Sequence, residues 1–298
     1  MSPAIFFFHI GKIPFYLNCA LESARYFNPE SRIFLITDQV GSKLASLKIE
    51  CIPPETVEHP KLSQFLKSYV HISSCHVSYE RRCFERWFYF EQLRAQQGIE
   101  EIVVLDSDAV LFSDAQSLFS IIPEQFNFAC SKGGGPALTL IRRSIEPFLD
   151  HMLERYTSAT YLEQALVEQR RAHLAGEMKN LTDMTFCEEF TAEHPLACVY
   201  PNQNAQGHLD HGIFLPDGMK ARKAGRRHRK KVLWKLNNTT LIPYFIKEDD
   251  GTLTKALVIH FQSKGKRLIR SFNPINPSFW TSKIGLKFRL LFLNSRMS

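Results

Sequence analysis

The sequence predicts an α/β fold in which a mixed, mostly parallel sheet is flanked by helices. Three observations predict it. The chain has 298 residues, of which 44% are hydrophobic, and this is enough to bury a sizeable core. Short continuous apolar runs alternate with segments of helical periodicity, as expected for strands that are buried on both faces. A pair of carboxylates follows one of these runs, at the position where open α/β sheets bind ligands.

The apolar runs and the helical patterns follow one another along the chain. Strands are predicted at 4–10, 32–37, 48–53, 101–106, 126–131 and 137–141, with later strands at 239–246 and 256–261. Helices are predicted at 14–27, 61–72, 79–97, 144–156 and, with polar character, 158–174. The region after residue 157 is otherwise mixed and rich in loops. We expect one domain over 1–275 and a basic amphipathic tail at 276–298.

The composition excludes several classes of protein. No apolar run reaches the length of a membrane span, and the apolar start at 4–10 lacks a basic leader and a cleavage site, so we interpret it as a strand. The seven cysteines occur singly, without a C-x-x-C pair, which favours reduced thiols over a disulfide framework. We therefore expect a cytoplasmic protein.

The net charge of +7 is concentrated in two segments. The run 220–231 holds eight Lys or Arg residues, and no Asp or Glu follows Asp250. Because the run lacks aromatic residues and any nucleic-acid-binding motif, we interpret it as a solvated loop and do not favour nucleic acid as a partner. The tail at 276–298 mixes aromatic, aliphatic and basic residues. It fits either a helix packed on the domain or a peripheral contact with the inner face of an anionic membrane.

The acidic pair consists of Asp106 and Asp108, separated by Ser107 and preceded by the apolar run 102–105. Residues i and i+2 of an extended segment project to the same side, so both carboxylates can direct oxygens at one divalent cation. In the alternative interpretation, Asp106 caps the following turn and Asp108 is solvated.

A second candidate for metal binding lies far along the chain. His260 falls near the end of the predicted strand 256–261, and Lys264 and Lys266 follow it. An imidazole combined with carboxylates suits Mn²⁺, and the lysines can neutralise phosphate oxygens. The alternative is a core histidine beside a basic surface loop.

Two enzyme classes share the pattern "VVLDSDAVLF". It is similar to the motif of haloacid dehalogenase-type phosphatases, whose first Asp is a nucleophile. It is also similar to the D-x-D motif of GT-A-fold glycosyltransferases, in which carboxylates hold a metal against a nucleotide diphosphate. The phosphatases usually begin their sheet with this strand, whereas here about a hundred residues precede it. A phosphatase also needs a later acidic pair, and "KEDDG" at 247–251 is a candidate for it.

With "HFQSKGK" at 260–266 included, the sequence resembles the retaining GT-A glycosyltransferases of family 8 and related families. Their carboxy-terminal motif H-x-x-G-x-x-K supplies a metal-binding His and a Lys for the diphosphate. His260 and Lys266 match these positions, whereas Ser263 replaces the Gly. The resemblance implies a single GT-A-like catalytic domain, with a nucleotide-binding half at about 1–141 and an acceptor-side half at about 142–275.

The resemblance also implies residues that contact the donor. In these transferases the end of the first strand and the acidic residue after the second strand surround the nucleotide, which corresponds to His9, Ile10 and Asp38. They also carry, in the helix before D-x-D, an Arg that touches the sugar or the diphosphate. Arg86 matches it, and a structural salt bridge explains Arg86 equally well.

Asp183 and Asp210 are the candidates for a catalytic role. The segments "TDMT" and "LDHGI" resemble two segments that line the donor pocket in these transferases. The alternative interpretation of Asp183, which the sequence favours, is the N-cap of a helix. If the likeness to family 8 holds, the anomeric configuration is retained. An inverting enzyme would instead use Asp183 or Asp210 as a base near the acceptor.

The sequence therefore predicts a metal-dependent glycosyltransferase of polysaccharide biosynthesis. It would move a sugar from a nucleoside-diphosphate sugar to a hydroxyl of a glycan or lipid-linked saccharide. Asp106, Asp108 and His260 would hold Mn²⁺ in preference to Mg²⁺. The predicted donor contacts are His9, Ile10, Asp38, Arg86, Asp106, Ser107, Lys264 and Lys266. The alternatives are a phosphatase with Asp106 as nucleophile and a non-enzymatic basic protein that binds nucleic acid or anionic surfaces.

Overall fold

The secondary structure comes from a computed structural model, which describes residues 2–131, 137–200, 202–224, 227–237 and 240–272. The strands are β1 (Ala4–Phe8), β2 (Ile33–Ile36), β3 (Ile49–Ile52), β4 (Glu101–Leu105), β5 (Ala109–Leu111), β6 (Phe128–Ser131), β7 (Leu138–Arg142), β8 (Ala197–Tyr200), β9 (Gln203–Asn204), β10 (Gly207–Leu209), β11 (Ala221–Ala224), β12 (Arg227–Lys230), β13 (Val232–Asn237), β14 (Thr240–Ile246) and β15 (Leu253–His260). The helices are α1 (Phe15–Phe27), α2 (Ser42–Ser46), α3 (Leu62–Ser68), α4 (Val77–Gln97), α5 (Ala115–Phe119), α6 (Glu146–Thr157), α7 (Ala159–Leu174) and α8 (Asp183–Glu193), with 3-10 segments at Pro54–Thr56 and Ser263–Phe272. The predicted tail at 276–298 lies outside the described residues.

The central sheet has the strand order β3-β2-β1-β4-β7-β6-β8. Its neighbouring strands are parallel except at β7, which runs antiparallel to both β4 and β6. The predicted mixed, mostly parallel sheet is thus confirmed. The carboxyl ends of β1, β2 and β4 lie at one edge, which is where a ligand site is expected.

Both faces of this sheet are covered, as the continuous apolar strands predict. In β1, Phe6 packs into a cluster with residues of α4, α6 and α8, whereas Ile5 and Phe7 pack into a second cluster with residues of α1 and α5. Successive side chains of a strand point to opposite faces, so a strand between two helical layers must be apolar at every position. This explains why β1 reads as an unbroken run of apolar residues.

Helix α4 is the long helix that precedes the acidic pair. It begins after His76, whose side chain accepts a hydrogen bond from the Ser78 backbone, and it ends at Gly98, which adopts φ 61°. A left-handed residue at this position is a common helix terminator, and glycine adopts it without strain. Helical spacing places Tyr79, Cys83, Phe90 and Leu93 in one row of α4. Phe90 and Leu93 of this row are buried, but Tyr79 is 60% exposed.

A second sheet has the strand order β13-β14-β15-β10-β9. Its strand β15 also pairs with β5, so that His260 lies opposite Ala109. Residues of β5 and β15 pack into a third apolar cluster that contains Val110, Ile259 and Phe261. The pairing of β5 with β15 connects two segments about 150 residues apart in sequence.

Two results concern the predicted membrane and charge features. No helix among the described residues has the length and hydropathy required to cross a bilayer. The basic run 220–231, which we interpreted as a solvated loop, contains the paired strands β11 and β12. That interpretation was wrong for the described part of the run. Charge density alone does not prevent strand pairing when the base of the hairpin is anchored, as described below.

Candidate functional site

The turn between β4 and β5 places the acidic pair. The backbone N–H of Asp106 donates to Ala137 O at 3.1 Å, and Ala109 N–H donates to Asp106 O at 3.0 Å. Asp108 O accepts from Phe261 N–H at 3.0 Å, because β5 pairs with β15. The two acidic side chains therefore meet the end of β15, although His260 is far away along the sequence.

The structure brings Asp106, Asp108 and His260 together at this point. Nε2 of His260 lies 3.3 Å from Oδ1 of Asp108 and 3.8 Å from Oδ2 of Asp106. One ligand atom from each residue lies within 4.8 Å of the others. Two carboxylates and one imidazole at these separations form a donor set that fits a divalent ion such as Mn²⁺.

The other ring nitrogen of His260 is occupied. Nδ1 lies 2.8 Å from the backbone carbonyl oxygen of His211, to which a protonated Nδ1 donates. This contact orients the ring and leaves Nε2 directed at the carboxylates, which is how most metal-binding histidines are held. Burial lowers the pKa of His260, but its hydrogen bond with Asp108 and the charges of both aspartates outweigh burial and raise that pKa to about 9.

Lys266 lies beside the same carboxylate. Its Nζ is 3.3 Å from Oδ2 of Asp108 and 4.7 Å from the centre of the Tyr16 ring. Burial raises the pKa of Asp108, but the contacts with His260 and Lys266 outweigh it and lower that pKa. Lys264, in contrast, is exposed, and its side chain forms no hydrogen bond or salt bridge with a described residue. The site therefore combines three ligand groups with one adjacent ammonium.

Arg86 connects the acidic pair to helix α8. Its guanidinium donates to Oδ1 of Asp106 at 2.6 Å and to Oδ2 of Asp183 at 2.7 Å. Trp87 Nε1 also donates to Oδ2 of Asp183, at 3.2 Å. Burial raises the pKa of Asp183, and the positive charge of Arg86 opposes this rise. Asp183 is the first residue of α8 rather than its N-cap, because Thr182 caps the helix.

Asp210 lies beside the backbone of His260 and is fully enclosed. Its Oδ1 is bound by the ammonium of Lys230, and its Oδ2 accepts from the backbone N–H of His260 at 3.2 Å. Lys230 also donates to Oδ2 of Asp217 at 2.7 Å. The side chains of Asp210 and Lys230 are 0% exposed. As placed, Asp210 supports the backbone of His260 and presents no oxygen to the site.

The residues predicted to contact the nucleotide lie at the ends of β1 and β2. Asp38 Oδ1 accepts from the backbone N–H of Gly11 at 2.7 Å and thereby connects the two strand ends. His9 Nε2 lies 3.0 Å from Lys12 O, and burial lowers the pKa of His9. Ile10 and Ser107 are both half-buried. These residues share the sheet edge that carries the acidic pair.

Two further clusters of potential metal ligands exist among the described residues, namely Glu80–Cys83–Asp183 and His208–Asp210–Asp217. In the first, burial raises the pKa of Cys83, which disfavours the thiolate that a metal requires. In the second, the ammonium of Lys230 already binds both aspartates. The cluster around His260 is therefore the best of the three for a divalent cation.

Sequence reasoning missed three residues that shape this site. Lys230 was hidden in a run of basic residues, where its burial leaves no signal. Trp87 follows Arg86 directly, and an indole N–H that must be buried could have indicated a nearby acceptor. Tyr16 belongs to α1 and faces Lys266 only because the 3-10 segment Ser263–Phe272 packs on that helix.

No protein-family model matches the sequence, and no curated protein matches it. Several solved structures are similar. Mouse xyloside xylosyltransferase 1 (apo form) has a TM-score of 0.44 at 11% identity, over 68% of this chain and 86% of that one. The galactosyltransferase LgtC, in complex with donor and acceptor sugar analogs, has a TM-score of 0.39 at 12% identity, over 67% of this chain and 74% of that one. The apo bifunctional glycosyltransferase WbbM has a TM-score of 0.47 at 11% identity, over 94% of this chain and half of that one.

Proposed function

We propose that this protein is a metal-dependent glycosyltransferase that uses a nucleoside-diphosphate sugar. The observation that carries the proposal is the convergence of Asp106, Asp108 and His260 at the carboxyl edge of the sheet, with Lys266 next to Asp108. A diphosphate requires a concentrated positive charge, and this site provides one ammonium and a donor set for a cation. The sequence likeness to the GT-A glycosyltransferases described above supports the same function.

Different residues bind the cation, stabilise the diphosphate and place the nucleotide. Asp106, Asp108 and His260 hold the divalent cation, which when bound neutralises charge on the departing diphosphate. Lys266 donates to the phosphate oxygens and stabilises the same negative charge as the bond to the anomeric carbon breaks. The adjacent strand ends, with His9, place the base and ribose. A hydroxyl of a glycan or lipid-linked saccharide attacks the anomeric carbon, the bond from that carbon to the diphosphate oxygen breaks, and the hydroxyl proton passes to the departing diphosphate.

Arg86 and Asp183 form the wall next to the transferred sugar. Oδ2 of Asp183 accepts from Arg86 and Trp87, and the Asp183 side chain is almost fully buried, so it would act on the donor sugar by orienting Arg86. Arg86 fixes Asp183 relative to Asp106, so the donor sugar and the metal-binding carboxylate keep a constant separation. Asp210 acts through the backbone of His260 and positions it.

All seven cysteines are free thiols, in keeping with a reducing compartment.

The geometry argues against the phosphatase alternative. The acidic residues of "KEDDG" at 247–251 lie in the turn before β15, whereas His260 and the acidic pair lie at its other end. A strand of eight residues spans roughly 25 Å at about 3.3 Å per residue, so Asp249 is too far from Asp106 to share a phosphoryl group. Oδ1 of Asp106 is also bound by Arg86, which hinders its use as a nucleophile.

Calorimetric titration with UDP, GDP and CDP, with and without Mn²⁺, tests the proposal. We expect one nucleoside diphosphate to bind only when metal is present, and Asp108→Asn to abolish this binding. Asp249→Asn is the matched control, because it removes an equal charge at the far end of β15, and it should bind like the wild type. Metal-independent binding, or hydrolysis of a simple phosphate ester that depends on Asp249, would contradict the transferase assignment.

A further inference from the structure

We infer that β11 and β12, here called the basic hairpin, bind phosphate groups carried by the acceptor saccharide. The inference deepens the proposed function and rests on it. It assigns the acceptor a chemical class, a phosphate-bearing saccharide, and it gives the run 220–231 a role beside the catalytic site. Four observations carry it, concerning the anchor of the hairpin, its charge pattern, its lack of acidic partners and the chemistry of its side chains.

The anchor fixes the basic hairpin next to the site. Lys230 at the end of β12 binds Asp210, whose other oxygen holds the backbone N–H of His260. The backbone N–H of Lys230 also donates to Ile213 O at 3.0 Å. Strand β12 has four residues, so it extends about 13 Å from this anchor at about 3.3 Å per residue. Asp210 is thus the one side chain between Lys230 of the hairpin and the backbone of His260.

The charge pattern of the basic hairpin is unfavourable without an anion. Arg222 lies directly opposite Arg229. Like charges at opposed positions of two strands repel each other, and a two-stranded hairpin is only marginally stable. The Nε–H of Arg229 is shielded from solvent and has no acceptor among the described residues. An anion that contacts both arginines would relieve the repulsion and satisfy this donor.

Acidic side chains do not neutralise the hairpin. Residues 218–247 contain no Asp or Glu and ten Lys or Arg. Arg222, Lys223 and Lys231 are exposed and form no salt bridge with any described residue. The buried Lys230 is the exception, since it is paired with Asp210 and Asp217. The exposed charges of the hairpin therefore face solvent as an uncompensated positive surface.

The side chains favour phosphate on a saccharide over other polyanions. Paired guanidinium groups match phosphate oxygens through two parallel hydrogen bonds. Apart from Ala221, the described side chains of β11 and β12 are basic, so these strands offer no apolar group for insertion into a bilayer and no aromatic ring for stacking on a nucleobase. A membrane surface or a nucleic acid would be held by charge alone and would make no use of the adjacent transferase site.

Binding of a bisphosphorylated glucosamine disaccharide, compared with its unphosphorylated form, tests the inference by calorimetry. We expect Arg222→Gln/Arg229→Gln to weaken binding of the phosphorylated probe by about ten-fold or more and to leave the other probe unchanged. Lys223→Gln, on the other face of the hairpin, should have a smaller effect in the same direction. The matched control is Arg170→Gln/Arg171→Gln, which removes two exposed arginines of α7 and should bind like the wild type.

Three results would overturn the inference: equal binding of both disaccharides, equal binding by the hairpin variant and the wild type, or tighter hairpin-dependent binding of phosphatidylglycerol vesicles or a single-stranded oligonucleotide. Metal-dependent nucleotide binding of the hairpin variant should equal that of the wild type, which keeps the two proposals separable. Loss of phosphate recognition with intact nucleotide binding refutes only the acceptor class. Absence of metal-dependent nucleotide binding in the wild type refutes the transferase itself.

Discussion

The backbone N–H of His260 donates to Oδ2 of Asp210 at 3.2 Å, and this contact connects the proposed metal site to the basic hairpin. Asp210 can serve as this acceptor because Lys230 neutralises it through Oδ1. An ionised carboxylate in a fully enclosed position requires such a partner. The position of His260 therefore depends on a cation thirty residues before it in the sequence.

We expect Lys230→Met to destabilise the protein by about 3 kcal/mol or more, because it leaves Asp210 charged and buried without its partner. The free energy of unfolding in urea measures the effect. Lys235→Met is the control: Lys235 is exposed and lies over the Tyr244 ring, and its loss should cost about 0.5 kcal/mol or less. Equal decreases in unfolding free energy for the two variants would mean that the buried ion pair contributes no more to stability than an exposed lysine.

Asp210→Asn and Asp210→Ala distinguish a positioning role from a catalytic one. The asparagine keeps an oxygen that accepts from His260 N–H, whereas the alanine removes it. If Asp210 positions His260, Asp210→Ala should weaken Mn²⁺ binding by about ten-fold relative to Asp210→Asn. If Asp210 were a catalytic base, both variants would lose turnover equally while Mn²⁺ binding stayed intact. Metal titration and donor turnover, measured side by side, separate the two roles.

The sequence alone predicts much of this site, for a physical reason. Strands buried on both faces must be apolar throughout, so the ends of β1, β2 and β4 are visible, and so are the polar residues that follow them. The pairing of β5 with β15 is not visible, because three residues carry too little pattern to indicate a strand. His260 was predicted as a site residue only through the resemblance of its segment to the H-x-x-G-x-x-K motif.

The remainder could not be predicted, because it depends on contacts between distant segments. Lys230 has the same chemistry as its basic neighbours, and only the folded chain shows that it is the enclosed one. Tyr79 lies on the same row of α4 as the buried Phe90, yet it falls in the first turn of the helix and is 60% exposed there. Asp210 looks like a pocket residue in the sequence, and only its two bonded oxygens indicate a supporting position.

Arg86 and Asp183 should prove energetically coupled. Arg86→Met leaves Asp183 buried without its cation, and we expect it to cost about 3–5 kcal/mol of unfolding free energy. Asp183→Asn in the same chain removes the uncompensated charge, so the double variant should be more stable than Arg86→Met alone. A double-mutant cycle in urea measures this coupling. Strictly additive effects would show that the 2.7 Å contact carries no interaction energy.

His208 should make the protein sensitive to acid. The ring is fully buried, and neither nitrogen has a hydrogen-bond partner among the described residues, although Nε2 lies 3.9 Å from Oδ1 of Asp210. Burial and the nearby Lys230 charge lower the pKa of His208 from 6.5 to about 3. The unfolded chain then binds more protons, so stability is complete above pH 6.5 and falls as the pH drops toward 3. Between about pH 7.5 and about pH 5, this one group should account for about 2 kcal/mol.

The comparison for His208 is His208→Leu, which cannot titrate and removes two unpaired ring nitrogens. Between about pH 7.5 and about pH 5, the unfolding free energy of the variant should fall by about 2 kcal/mol less than that of the wild type. His173→Leu, an exposed histidine of α7, should keep the acid sensitivity of the wild type. If His208→Leu and the wild type show the same pH dependence, the folded-state pKa of His208 is not lowered.

The protein should be more stable with glycine than with serine at position 263. Ser263 adopts φ 50°, in the left-handed region, at the position where the H-x-x-G-x-x-K motif carries its glycine. A side chain in this conformation costs about 1–2 kcal/mol of stability, which a glycine avoids. The greater entropy of the unfolded chain with glycine offsets about 0.4–1 kcal/mol of that gain. Ser263→Gly should therefore stabilise the protein by up to about 1 kcal/mol in urea unfolding. Ser263→Val should be less stable than the wild type, because β-branched residues tolerate positive φ least. The reverse order of the two variants would show that the serine is not strained there.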